Sequence, residues 1–476
     1  MRQGIKNWLQ ASVVCRLLSS LGNKISAFMA EGFLWRWLTR EPIPDGNTRT
    51  DRLFRRIVDG KFCEFLRSGF LFSLLMRIPE LPWIFLMLTL FAAMALPTLV
   101  VMLLSLMTLA LTLLALIFRK EQLPPVTGGI NMWILFALMT LLYTFVNFGG
   151  MQGILAGGIR FCMLPLLPCA WVLLHRKKRV WRTVYAFAGA SFAVGMYGMY
   201  QYFTGALSAK WTDIDLFSES FGRLVSTFEN PNVYGTFLLI ALPVVLVAAI
   251  VARGWRGKTF LWVTAALLTV NLFLTYSRGC YLAVVISLFV LLVCKGRGWL
   301  WVGAGALALS PFYLPESVLS RIASIGNLGD SSVSYRINIW KGSLAMLEKY
   351  WWMGVGIGDG AFRSIYENFA LGAVEDAPHA HNLALQTMAE SGVLGLLVLI
   401  LLFACLFRTA CSAVKRSVGA DKWLRLSLIA AWCGLLFQGI TDYIFYNNNL
   451  FAIMMISLGV MITGIPQRKE EDQHEG

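Results

Sequence analysis

The chain has 476 residues, 57% of them hydrophobic and 14% charged, with a mean hydropathy of +0.65. Soluble domains carry about 25% charged residues, whereas here the apolar residues fall in long uncharged blocks of the kind bilayer spans need. This excludes a disordered chain, a collagen-like repeat and a disulfide scaffold and predicts an all-α, polytopic helical membrane protein. The net charge of +15 does not point to nucleic acid. The basic residues cluster between apolar blocks rather than along one soluble face, the arrangement that meets anionic membrane lipids. The nine cysteines are scattered without a CxxC pair and read as small buried hydrophobes.

In chain order, residues 1–80 are too polar to span, with 13 basic and 7 acidic residues, and contain no recognisable cleavable signal peptide. Stretches 5–20 and 61–77 mix Leu, Phe and Trp with Arg and Lys. That is the pattern of helices lying on a leaflet surface and equally of a solvated helical region. Between Glu80 and Arg119 lie 38 uncharged residues, about 57 Å of helix and nearly twice a hydrocarbon core. The chain must therefore turn back, near Pro97. From Lys258 to Lys295 the only charge is Arg278, so a second tight hairpin is expected at Ser277-Arg278-Gly279. Further spans are expected at 131–149, 154–174, 182–202, 232–252, 298–314, 388–408, 424–441 and 447–464, which makes about 12 in all.

Twelve spans put both termini on one side. With them lie segment 175–182 (five basic residues, no acid), 253–258 (three basic), 295–297 (two) and 408–425 (five against one Asp). The opposite loops differ: 204–230 holds two basic and four acidic residues, and 316–387 holds five and seven. The positive-inside rule then places the termini and basic loops in the cytoplasm. The expected organisation is an interfacial or cytoplasmic region 1–80, nine spans over 81–315, an extracytoplasmic loop 316–387, three spans over 388–464, and a cytoplasmic tail 465–476. No internal repeat of the transporter kind is evident.

Function is sought where polar residues break the membrane pattern. Arg160, Arg223, Arg278 and Arg336 lie at the outer side against the charge bias. Each alone suits snorkelling to headgroups, while several guanidinium groups converging on one outer cavity would make a bidentate anion site, with phosphate as guest. The large loop contains a Ser/Gly-rich stretch 323–334, an amphipathic helix from Tyr335 to about Trp352, and Gly354-Val-Gly356-Ile-Gly358-Asp359-Gly360. This glycine run lacks the preceding strand and lysine of a nucleotide loop. The loop ends Glu375-Asp376-Ala-Pro-His379-Ala-His381-Asn382, then reaches Gln386, Glu390 and Gly392. His-x-His beside carboxylates can ligate a metal, but His175 and His474 fall on the cytoplasmic side and offer no third nitrogen. Histidine at an outer membrane edge instead suits general-base work on a hydroxyl. Asp213-Ile-Asp215 could hold a divalent cation, although solvated loop acids explain it better.

Five landmarks in order, RLVSTFENPN at 223–232, YSRG at 276–279, YRINIWKG at 335–342, GVGIGDGAF at 354–362 and HAHNLALQTMAESGVLG at 379–395, resemble the O-antigen ligase/polymerase family of bacterial membrane glycosyltransferases over residues 220 to 464. The resemblance implies inverting, metal-independent and cofactor-free transfer of a glycan from an undecaprenyl-diphosphate donor to a glycan, lipid or protein acceptor, outside the cytoplasmic membrane. It implies that Arg223 and Arg278 hold the diphosphate, with Arg336 and Arg160 as further candidates. His381 is the implied base, with His379, Asn382 and Glu390 as candidate orienting residues. Residues 1–80 and Trp351-Trp352 depart from the family pattern. The alternatives are a polymerase joining lipid-linked repeat units, a transporter or flippase, and a metal-dependent transferase using Asp213 and Asp215.

Overall fold

A computed structural model describes residues 49–206, 222–324, 331–371, 374 and 376–464. Stretch 5–20, Asp213, Asp215, residues 325–330 of the Ser/Gly-rich stretch, Glu375, His474 and the tail 465–476 lie outside the described residues. The described chain is helical throughout, and no strand occurs among the described residues. It is a polytopic helical membrane protein.

A helix occupies each expected span. Seven are long and apolar enough to cross a membrane: Thr98–Ile117, Gly128–Phe145, Gly150–Leu173, Pro231–Val251, Trp255–Leu274, Arg278–Lys295 and Leu383–Lys415. Leu81–Ala95, Gly298–Phe312 and Asn448–Ile462 are shorter apolar helices. Lys177–Thr204 and Gly419–Gln438 begin inside the basic segments, which lowers their hydropathy without shortening them. The first hairpin turns at Leu96-Pro97, between Leu81–Ala95 and Thr98–Ile117, and the second turns at Thr275–Ser277, just before Arg278–Lys295. Pro165 separates Gly150–Met163 from Leu166–Leu173.

Pro231–Val251 is the central helix. Its membrane-length window is 89% buried, whereas Trp255–Leu274 and Arg278–Lys295 are 33% and 28% buried and turn apolar side chains outward. Gly128–Phe145 packs along Leu383–Lys415, and Leu166–Leu173 packs along Asn448–Ile462. At the end of the bundle that carries the basic segments, buried Arg179 donates to Glu80 at 2.8 Å and to Glu121 at 2.6 Å. This pairing ties the first span to the fifth.

At the opposite end, the described residues of 316–387 form helices Glu316–Ala323, Ser331–Tyr350 and Asp359–Tyr366. The second of these starts earlier than its amphipathic pattern suggests. Ile339, Met346, Phe362, Tyr366 and Ala380 give this loop a small core of its own. The loop joins the bundle where Leu383–Lys415 breaks at Gly392 (φ 64°, ψ −171°). A break strands backbone groups that must find partners elsewhere, and the glycine-rich segment supplies them. The Val355 and Gly356 N–H groups donate to the Ala389 and Glu390 carbonyls at 2.7 and 2.9 Å, and the Val393 N–H donates to the Trp351 carbonyl at 2.8 Å. The approach is close enough that a Cβ on Gly392 would collide with the Trp352 carbonyl, and one on Gly354 (φ 68°) would lie 2.5 Å from the Ser391 nitrogen.

Candidate active site

Three of the helix N-termini at the loop end of the bundle are each opened by an asparagine. Asn230 accepts from the N–H groups of Asn232 and Val233, Asn382 from Leu385, and Asn447 from Leu450. Side-chain caps of this kind satisfy the first orphan donors, and helix N-termini favour an anion. First-turn residues of two of these helices, Asn232 with Val233 and Leu450, line a cavity of about 330 Å³ together with Arg223, Arg336, His379, His381 and Asp442. Segments far apart in sequence therefore meet around one volume.

Arg223 is aimed by its backbone neighbours. Its Nε donates to the Thr275 carbonyl at 2.9 Å, and its Nη2 donates to Asn232 Oδ1 at 3.0 Å. The turn that carries it is anchored by Ser226, which exchanges bonds with the Gln201 amide at 2.8 and 3.1 Å. Arg336 sits in the second turn of Ser331–Tyr350 and reaches the cavity from the loop side.

His381 immediately precedes the Asn382 cap and holds a left-handed backbone (φ 45°), a strained conformation for a non-glycine residue. Its own neighbours enforce it. The His381 N–H donates to His379 Nδ1 at 3.2 Å, and Trp340 Nε1 donates to the His381 carbonyl at 3.3 Å. Nδ1 of His381 lies 3.1 Å from Asp442 Oδ1, with the two side chains 17% and 12% exposed. A proton on Nδ1 shared with the carboxylate leaves the Nε2 lone pair available, the tautomer a general base requires. His381, Arg336 and His379 hold Asp442 below the usual carboxylate range against the opposing effect of its burial. Burial, with His381 alongside, pushes His379 down to about 3, so this second imidazole is neutral and acts as a hydrogen-bond acceptor.

The remaining candidates from the sequence take other places. Asn382 caps its helix and donates to the Ile440 carbonyl at 2.7 Å, which ties the His381 segment to the turn bearing Asp442. Arg278 does not line the cavity. It stands behind the wall, donating from Nη1 to the Ser324 hydroxyl and carbonyl at 3.0 and 3.2 Å, while the adjacent Ser277 hydroxyl reaches Asn232 at 3.0 Å. Arg160 also lies outside it, buried and paired with Glu390 at 3.2 Å while donating to the Tyr443 hydroxyl at 2.6 Å. The structure thus pairs Arg160 with Glu390 and brings neither to the cavity. The two pair in the interior, where the Arg160 Nε has no hydrogen-bond partner, and Glu390 also receives Gln386 at 3.0 Å and the Gly358 N–H at 3.4 Å. The N–H groups from Gly354 to Gly358 all donate to protein acceptors, so these five amides are not left to cradle a phosphate.

Nothing in the sequence singles out Asp442. It lies in the short turn between the last two helices, on the side where charge bias makes an acid ordinary, and only the fold places it against His381. With it, one nitrogen of His379, one of His381 and one Asp442 oxygen lie within 4.8 Å of one another, a grouping that could hold a metal.

Residues 263–400 match a family model described as O-antigen ligase. The matched region takes in the landmarks at 276–279, 335–342, 354–362 and 379–395, so it contains His381, Arg278 and Arg336, while Arg223 lies before it. The resemblance to the O-antigen ligase family of glycosyltransferase-like membrane enzymes is thereby borne out. A comparison with curated proteins gives no match.

Proposed function

We propose that this protein transfers a glycan from an undecaprenyl-diphosphate donor to an acceptor hydroxyl at the outer face of the cytoplasmic membrane, with both termini in the cytoplasm. In the reaction, the acceptor oxygen attacks the anomeric carbon of the donor sugar while its proton passes to His381 Nε2. The bond from that carbon to the diphosphate oxygen breaks, and the electron pair leaves with the diphosphate. Asp442 stabilises the imidazolium that forms. Negative charge grows on the leaving oxygens, and fixed positive charge aimed at them lowers the barrier because it need not reorganise. Arg223 and Arg336 carry that role at the cavity, together with the positive ends of Pro231–Val251 and Asn448–Ile462. Arg278 supports the wall through Ser324.

The observation that carries the reading is the meeting of two arginines, an aspartate-paired histidine and two helix N-termini on one cavity. The donor arrives activated and anchored in lipid, so the transferase needs no nucleotide-sugar domain. Ligation onto a lipid or protein acceptor is the first reading, and polymerisation of lipid-linked repeat units is the alternative. The test is transfer from purified undecaprenyl-diphosphate oligosaccharide to candidate acceptors, with and without chelator. Turnover that survives chelation and is lost in His381→Ala supports the proposal. Turnover unchanged in His381→Ala refutes it.

A further inference from the structure

We infer that His379, His381 and Asp442 form a site for a borderline transition-metal ion such as Zn²⁺, and that an ion bound there switches the transferase off. Among the described residues this is the one grouping of such side chains whose ligand atoms all lie within 4.8 Å of one another. Two imidazoles and a carboxylate suit zinc, which commonly takes three protein ligands and leaves a fourth position open. The adjoining cavity of about 330 Å³ gives that position to water. The His381 nitrogen and the Asp442 oxygen are already 3.1 Å apart, a separation two ligands of one ion can keep, so the ion takes the place of the proton between them. Capture of His379 through Nδ1 replaces the 3.2 Å bond it accepts from the His381 N–H.

The switching-off follows from imidazole tautomerism and rests on the function proposed above. A neutral imidazole bound through Nδ1 must carry its remaining proton on Nε2. The proton displaced by the ion moves to that nitrogen, and Nε2 can no longer accept the proton of an acceptor hydroxyl. Inhibition therefore occurs without filling the cavity. Arg336 lines the same cavity, and its positive charge opposes a bound cation.

The test uses full-length protein in nanodiscs with Cys294 and Cys411, thiols exposed among the described residues, replaced by serine. Co²⁺ serves as a spectroscopic probe and Zn²⁺ as competitor. One equivalent of Co²⁺ is expected to bind with its visible absorption, and Zn²⁺ is expected to displace it. Affinity should fall by about tenfold or more in His379→Ala, in His379→Gln and in Asp442→Asn, and should rise in Arg336→Gln. Absent Co²⁺ absorption, or absorption that persists unchanged in both His379 variants, overturns the site. Zn²⁺ should also abolish glycan transfer, with chelator restoring it. Transfer that continues while Zn²⁺ is bound overturns the switch. The absorption needs no turnover, so it reports on the site even if the proposed donor proves wrong.

Discussion

The buried pair Arg160–Glu390 separates two roles that the sequence alone leaves mixed. Its side chains are 10% and 7% exposed, and the Arg160 guanidinium is shared between Glu390, the Tyr443 hydroxyl and the Phe445 carbonyl. Arg160→Met leaves the carboxylate buried and uncompensated, which costs about 3–5 kcal/mol. Glu390→Gln alone strands the guanidinium, at a cost of similar order. The double variant removes both charges, and the side-chain amide it introduces keeps an oxygen for the Gly358 N–H and the Tyr443 hydroxyl. It should therefore recover much of the loss, with a coupling of roughly 2 kcal/mol or more. Thermal unfolding of the four proteins in one detergent measures the cycle, and glycan transfer by the same samples measures the consequence. If Arg160 is a brace for Tyr443, and through it for Asp442, the double variant regains transfer along with stability. A double variant as stable as wild type yet as inactive as Arg160→Met would show instead that Arg160 grips the donor.

His381→Ala should abolish transfer while expression, membrane insertion and thermal stability stay near wild type, as checked by assay and unfolding of the same preparation. Asp442→Asn removes the carboxylate that fixes the His381 tautomer and should lower kcat on the order of 10³-fold, with little change in the amount of folded protein. Arg223→Gln should lower kcat by about 10²-fold or more with a smaller effect on KM, since its charge is needed most as the diphosphate departs. A KM-only effect would assign it to ground-state binding. Gly392→Ala forces a side chain into the left-handed region, at roughly 1–2 kcal/mol, and also into the Trp352 carbonyl. It should lower the unfolding temperature and transfer together, whereas an unaltered protein would disprove the close fit.

Much of the fold is legible in the sequence, because a charge-free stretch has a length and a bilayer has a thickness. Pro97 and the Ser277 turn fall where that arithmetic demands a reversal. His381, Arg223 and Arg336 stand out for a related reason, as polar groups placed where lipid headgroups and apolar spans leave little cause for them. What the sequence hides is pairing. Glu390 and Asp442 are both acids near the loop-side ends of spans, and no local pattern says which one faces His381 and which one faces Arg160, 230 positions away. That assignment depends on how Leu383–Lys415 is rotated, and the rotation depends on a break that Gly392 permits but does not announce. The spacing Gly354, Gly356, Gly358 hints at close backbone contact. Only the packed structure says that the partner is a helix rather than a phosphate.

The break at Gly392 has a mechanical consequence. The stub that begins at Leu383 is not a rigid extension of the long membrane helix below it, because its direction is fixed laterally by the chain threaded beside it. Sideways pressure on the Trp351–Gly358 segment, from a bulky acceptor or a neighbouring lipid, is thereby delivered to the imidazole's mounting rather than dissipated in the bundle. In this architecture the 316–387 loop acts as the gunsight by which the imidazole is aimed.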